Sequence, residues 1–483
     1  MLTPSQIADV AVARLGLPVP MAKLQIMHDI AAGLRNDQSG PVIWDALLRW
    51  LKTRELESEV LEGLCPIFLA KGAQVLEISR LRLSIERPSI LSDFLVAESF
   101  GTSLVVAAWT HSHSEEVPGL LRLNEVIEDL CSGRFIPPLF GNRLTALEQR
   151  SGKPFTRQWA YEFTLLRSRA TYTESGHFGY FRGDTTSGTG TFVGKHSHLA
   201  RSAFLRTLAL AVARWDMPQD KAEEVAQFAL PAEPLLLKLL PLSPPSWAPP
   251  LHSWSIKDSG TDLQNSVAQM VAHIEQQTGR TLLHFKGCIH STKTISVEAE
   301  VTTALSANGA ANPEEVFFFY NFLLGKVEVP RLRLESFVPD VWARKNTIPG
   351  KDGTQYLPAL LPLVGHIVGY LSTDLLHLLP MIPTVHSSAN DVSATPEVGG
   401  TSIFLDGICV GKVDYWNWHW QPTHEKDSLP PSSVCTTLSA DTVDKLFRVQ
   451  GYAVQRCWKI LMRERETDYG SWVDTTHFGM LEP

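Results

Sequence analysis

Two His-x-His pairs and one glycine-rich turn hold the side chains that, by type and spacing, could do chemistry in this chain. His111 and His113 lie in "HSHSEE" and His196 and His198 in "KHSH". Two imidazoles one residue apart can share a metal ion that activates water for hydrolysis. The second pair ends the stretch "SGHFGYFRGDTTSGTGTFVGKHSH", residues 175–198, in which Gly188, Gly190 and Gly194 precede Lys195 and a helix start. Glycines before a helix N-terminus offer backbone N–H groups to an anion, which makes this stretch a candidate phosphate cradle.

Counting narrows these options. A P-loop needs a glycine five positions before its Gly-Lys pair and a hydroxyl after the lysine, but Thr189 and His196 occupy those places. A dinucleotide fingerprint needs two residues between its last glycines, where this chain has three, Thr191, Phe192 and Val193. The apolar run "SLVVAAWT" followed by His111 and His113 resembles the core of the JAMM isopeptidases, in which such a pair shares zinc with a downstream aspartate. The resemblance covers a dozen residues and implies an aspartate eleven residues after His113 and a serine before it. Asn124 and Leu121 stand there instead, so the site is short of a ligand and the family is not assigned. The reading preferred for this pair is exposed polar residues at a helix end, with a metal-dependent hydrolase built on the His-x-His pairs as the alternative. No G-x-S-x-G elbow and no H-E-x-x-H motif occurs, and none of the seventeen lysines has an acid two positions before it, as restriction-type nucleases require. Triads assembled from distant residues have no fixed order in sequence and stay open. No cofactor-binding pattern is found.

Charge gives a stronger signal. Residues 150–214 hold ten basic side chains against three acids, +7 within a chain of net charge -8, which leaves -15 for the rest. The same segment holds Trp159, Tyr161, Tyr172, Phe178, Tyr180, Phe181 and Phe192. Cations for phosphates beside aromatic faces for bases suit a nucleic-acid groove. The expected contacts are Arg157, Arg167, Arg169, Arg182, Lys195, His196, His198 and Arg201, with Tyr180 and Phe181 as stacking faces. The competing reading makes the aromatics a sheet core and gives the cations acidic partners elsewhere. A second array, Trp416, Trp418 and Trp420 in "DYWNWHWQ", shares one strand face. It reads as core packing or, if exposed, as a hot spot for a partner protein.

The elements that must position these residues follow from periodicity. With 483 residues and a 44% hydrophobic share, the chain is globular and too long for one ordinary core. The expected fold class is mixed α and α+β: a helical N-terminal region, small mainly antiparallel sheets, and two domains joined by a Pro-rich linker. Residues 1–150 read as the helical region and 151–230 as a basic aromatic sheet-plus-helix region of the same domain. Residues 231–250, with seven prolines, read as the linker, and 251–483 as an α+β C-terminal domain. Residues 41–72 read as two antiparallel helices around a charged "KTRE" corner. In "RQWAYEFTLLRSR" Trp159, Tyr161, Phe163 and Leu165 alternate with more polar residues, which predicts a strand. "HLARSAFLRTLALAVARW" reads as a helix, as does "TDLQNSVAQMVAHIEQQTG" up to Gly279. A hairpin is expected through Asp406-Gly407, followed by one long helix capped by Ser439 and running through "KILMRERE".

The apolar stretch from Leu357 to Pro383 holds four prolines, Asp374, His366 and His377, so it reads as a buried helix or helix pair and no membrane association is expected. Six scattered cysteines, with no CxxC pair, predict reduced thiols and a cytoplasmic setting, and the N-terminus lacks a signal-peptide pattern. These features predict a non-catalytic intracellular component that binds nucleic acid or a partner protein subunit through residues 150–214. A pure protein–protein scaffold is the further alternative. The Arg-over-Lys, Ala/Leu-rich composition suits a prokaryotic assembly; an anti-phage or mobile-element role is suggested by that setting alone, not by any residue.

Overall fold

The structure is a computed structural model that describes residues 2–17, 20–102, 115–119, 138–169, 195–232, 234–240, 244–248, 260–307, 311–317, 348–349, 354–362, 380–384, 392–417 and 432–481. Contacts gather these residues into two compact units, with the changeover between Leu237 and Lys238. The fold class is mixed α and α+β: helices come first, and antiparallel strands dominate after residue 280.

The first unit is helical. In chain order its helices are α1 Pro4–Ala13, α2 Pro20–Arg35, α3 Gly40–Lys52, α4 Glu57–Leu69, α5 Ile78–Ser84, α6 Ile90–Phe100, α7 Pro138–Ser151, α8 Phe155–Arg169, α9 Lys195–Arg214 and α10 Gln219–Ala226. Local chemistry sets several boundaries. A capping box, Thr3 with Gln6, starts α1, Ser89 with Ser92 starts α6, and Gly101 in the left-handed region ends α6. The expected pair around the "KTRE" corner is α3 and α4, which bury Leu47, Leu48, Leu51, Val60, Leu61 and Leu64.

Residues 157–169 are not a strand but most of α8. Trp159 and Phe163 belong to two periodicities at once, and the helical set Phe155, Trp159, Phe163 and Leu166 is the one that is buried. Helix α9 is the central helix of the unit, buried on every side from Ser197 to Ala211. Its small residues Ala200, Ala203, Ala209 and Ala211 allow neighbours to approach closely. Within the proline-rich stretch after it, α11, Pro234–Lys238, carries buried Leu236 and Leu237.

The second unit packs α12, Gly260–Thr278, against an antiparallel sheet. Gly279, at φ +65°, ends the helix. The strands are β1 Thr281–Ser291, β2 Ile295–Ala307, β3 Ile348–Pro349, β4 Gln355–Leu357, β5 Leu360–Pro362, β6 Met381–Pro383, β7 Val392–Glu397, β8 Gly400–Leu405, β9 Ile408–Asn417, β10 Ser432–Leu438, β11 Tyr452–Glu464 and β12 Val473–Leu481. The main path runs β12-β11-β2-β1-β10-β9-β8-β7, with β4 on β2 and β3 on β4, while β5 pairs β6 separately. Asp406 and Gly407, both at positive φ, make the two-residue turn between β8 and β9 as expected.

Three further expectations are corrected here. The C-terminal segment is a short helix, α13 Ala440–Phe447, followed by β11. Gly451 at φ +84° breaks the helix, and Trp458, Ile460 and Met462 then face α12 with period two. The described parts of the apolar stretch after Leu357 are β5 and β6, not helix. Trp416 is core, not a partner surface: it is buried with Phe285, Cys435 and Trp458 under α12 and meets Trp247 edge-on at 5.7 Å. Trp418 and Trp420 lie outside the described residues.

Gly479 faces Trp458 across the β11–β12 ladder, and a Cβ there would press on the indole ring. Gly479→Val is expected to lower stability in urea denaturation by about 1–3 kcal/mol. Thr476→Val, at an exposed position of the same strand, should stay within about 0.5 kcal/mol. Equal effects would contradict this packing.

Candidate functional site

The charged residues that share a site in the first unit lie inside it. Helix α9 places His198, Ser202 and Arg206 four residues apart on one face, with Arg201 beside them. Helix α4 supplies Glu57, Ser58 and Glu62, α2 supplies Lys23, and α8 supplies Gln158 and Glu162. All ten side chains are buried. Ions taken from water into a packed interior must find partners, and the helices provide them.

Two clusters result. In the first, Glu62 accepts from Lys23 Nζ, and His198 Nε2 lies 3.3 Å from Glu62 Oε1. His198 Nδ1 is 2.9 Å from Ser58 Oγ, and the Ser58 amide donates to Ser202 Oγ at 3.1 Å. Burial alone would push the Glu62 carboxyl up, but His198 and Lys23 outweigh it and hold it down at about 2. In the second, Arg206 Nε donates to Glu57 Oε1 at 2.8 Å and Gln158 Nε2 donates to Glu162 Oε1 at 3.0 Å. Burial pushes the Glu162 carboxyl up to about 7, against the opposing pull of Arg206 and the Gln158 hydrogen bond. Gln158 also clamps residues 115–117, donating to the Glu115 carbonyl at 2.6 Å and accepting from the Val117 amide at 2.7 Å.

Ser58, His198 and Glu62 have the membership of a nucleophile–base–acid relay. Catalysis does not follow, because Ser58 is fully buried and a substrate cannot reach Oγ in this arrangement. The trio instead satisfies three interior polar groups. Among the described residues no group of three or more His, Cys, Asp and Glu could hold a metal ion.

The expected nucleic-acid contacts therefore separate. His198 and Arg201 are corrected: both are buried in α9, and the His198 ring nitrogens are engaged by Ser58 and Glu62. Arg157 is half-buried, whereas Arg167, Arg169 and Lys195 are exposed at the facing ends of α8 and α9 in sequence. The side chain of His196 and residues Tyr180, Phe181 and Arg182 lie outside the described residues, as do His111, His113 and Asn124. Trp159 is no stacking face for bases. It stacks on Phe163 in the core at 5.1 Å and donates to the Ala200 carbonyl.

Sequence reasoning missed Lys23, Glu57, Ser58, Glu62, Gln158 and Glu162. The usable signal was α9 itself, where His198, Ser202 and Arg206 share one face of a helix that is otherwise alanine- and leucine-rich, with no exposed polar surface to hold them. No protein-family model matches the chain, and no curated protein matches it either.

Lys23→Met removes a cationic partner of Glu62 in a buried site. It is expected to cost about 3–5 kcal/mol, read as a lowered unfolding midpoint. A cost below about 1 kcal/mol would show that the pair is solvated.

Proposed function

We propose that the protein is a non-catalytic binding component that engages a nucleic-acid backbone through the outer face of α7 and α8. One observation carries this reading. Arg150, Lys153, Arg167 and Arg169 are exposed and make no ion pair among the described residues, while His198 and Arg206 deeper in the same segment face buried acids. Four outward cations flank or occupy α8, which rises about 20 Å, the length of roughly six base pairs of duplex. Trp159 and Phe163 are turned inward, so the binding rests on phosphate contacts and not on these rings. Binding is then electrostatic and independent of base sequence. Among the described residues no helix is long and apolar enough to cross a membrane. A role as a subunit of a larger cytoplasmic assembly, with catalysis on another chain, belongs to this same proposal.

Single- and double-stranded oligonucleotides should both bind at low salt, with log affinity falling against log salt at a slope of about -3 to -4 for four phosphate contacts. Arg167→Glu with Arg169→Glu should weaken binding and reduce that slope by about 2. No binding at low salt, or unchanged binding by the double variant, would overturn the proposal.

A protein partner is the second reading, and it rests on β12. This nine-residue strand ends the sheet path with Val473, Phe478 and Met480 exposed, and it carries neither proline nor lysine, whereas the opposite edge strand β7 contains Pro396. Such an edge suits strand addition by a partner. A tagged chain should then co-purify with a partner that Val473→Lys with Met480→Lys loses. Retention by that variant would remove this reading.

A further inference from the structure

Residues 115–119 run across the side chains of two helices and are held by three of them. Gln158 of α8 makes two hydrogen bonds to the backbone of this strap, at the Glu115 carbonyl and the Val117 amide. The Tyr161 hydroxyl donates to the Glu115 carboxylate at 3.2 Å, and Trp215 Nε1, just beyond α9, donates to Glu116 Oε1 at 3.0 Å. Glu115, Glu116, Pro118 and Gly119 are exposed, while Val117 and Gln158 are buried, so the strap lies between Gln158 and solvent.

Beneath the strap, Arg206 is the one cation among the groups that act on Glu162, and Glu57 and Glu115 oppose it. Arg206 of α10's preceding helix α9 faces two carboxylates, Glu57 of α4 and Glu162 of α8, and each of those acids has a buried oxygen, Oε2, without a hydrogen-bond partner. The groups acting on Glu162 are Arg206 from α9, Glu57 from α4, Glu115 from the strap and Gln158 from its own helix. One proton on Glu162 Oε2 removes the charge that opposes Glu57 and Glu115 and turns that oxygen into a donor, with the acceptor Glu57 Oε2 also lacking a partner. Without the proton, a charged carboxylate oxygen is buried with no protein donor, and the shortest relief is to open the strap to solvent.

We propose that Glu162 is a proton-controlled latch: protonated, it lets Gln158 hold the strap closed over α8, and deprotonated, it favours release of residues 115–119. The proton comes from and returns to solvent, and no other bond changes. The sign follows from linkage. Burial raises the Glu162 carboxyl to about 7 in the closed state, above its ordinary range. The closed state therefore binds the proton more tightly than the open one, and closure weakens as pH rises towards and past that value.

Hydrogen exchange at the Val117 amide, corrected for the intrinsic rate, reads this directly in the full chain. Between pH 6 and pH 8 the opening equilibrium is expected to rise about tenfold. Peptides from β1 in the other unit should show no such rise. Glu162→Gln, which keeps the shape and cannot titrate, should abolish the pH dependence, and Gln158→Ala should leave Val117 unprotected at both pH values. A wild-type protection factor at Val117 that is constant from pH 6 to pH 8 would overturn the latch without any variant. So would a Glu162→Gln protein that keeps the rise.

Discussion

The burial of α9 is the constraint on which the helical unit depends. A helix enclosed from Ser197 to Ala211 that carries His198, Arg201 and Arg206 exposes those groups to a low dielectric, where an isolated charge costs far more than a helix can return. The acids of α4 and α8 must therefore face it. Once Glu57 and Glu62 point at α9, Lys23 of α2 can be accommodated at Glu62, and Ser58 and Ser202 are drawn into contact at the same crossing. The register between α4 and α9 is thus set by polar matching as well as by the leucines around it. Buried polar groups of this kind are held here by reciprocal satisfaction, and each becomes costly if its partner is lost.

The same constraint sorts the cations described within residues 150–214 into two groups. A sequence count treats every cation alike, yet half a helical turn decides whether an arginine meets a carboxylate or water. Arg206 meets Glu57, while Arg167 and Arg169 end α8 on its exposed side, where they also complement the helix dipole. The inward groups specify the packing, and the outward ones are left facing solvent.

Much of the architecture was legible because its signals were local. The "KTRE" corner, the stop at Gly279, the Asp406-Gly407 turn and the apolar face of α12 each rest on one short pattern with one physical cause. The errors arose where two periods overlap or a single residue breaks a pattern. Trp159 and Phe163 fit a strand and a helix equally, and tertiary burial of Phe155 and Leu166 decided for the helix. In the C-terminal segment the helical run ends at Phe447, and the indole of Trp458 continues as a strand residue against α12 because Gly451 turns the chain. The buried network was illegible for a different reason: Lys23, Glu57 and Gln158 are far apart in sequence, and their types are those of ordinary surface residues. Only the folded crossing of α2, α4, α8 and α9 brings them together.

The central claim is that α4 and α9 are joined by a desolvated charge pair rather than by two surface residues that happen to approach. A double-mutant cycle on Glu57→Gln and Arg206→Met, read by chemical denaturation, measures this most directly. The account predicts a coupling energy of at least about 1.5 kcal/mol between the two positions. Additivity within about 0.5 kcal/mol would mean that the pair is solvated and that the packing of the helical unit does not depend on it.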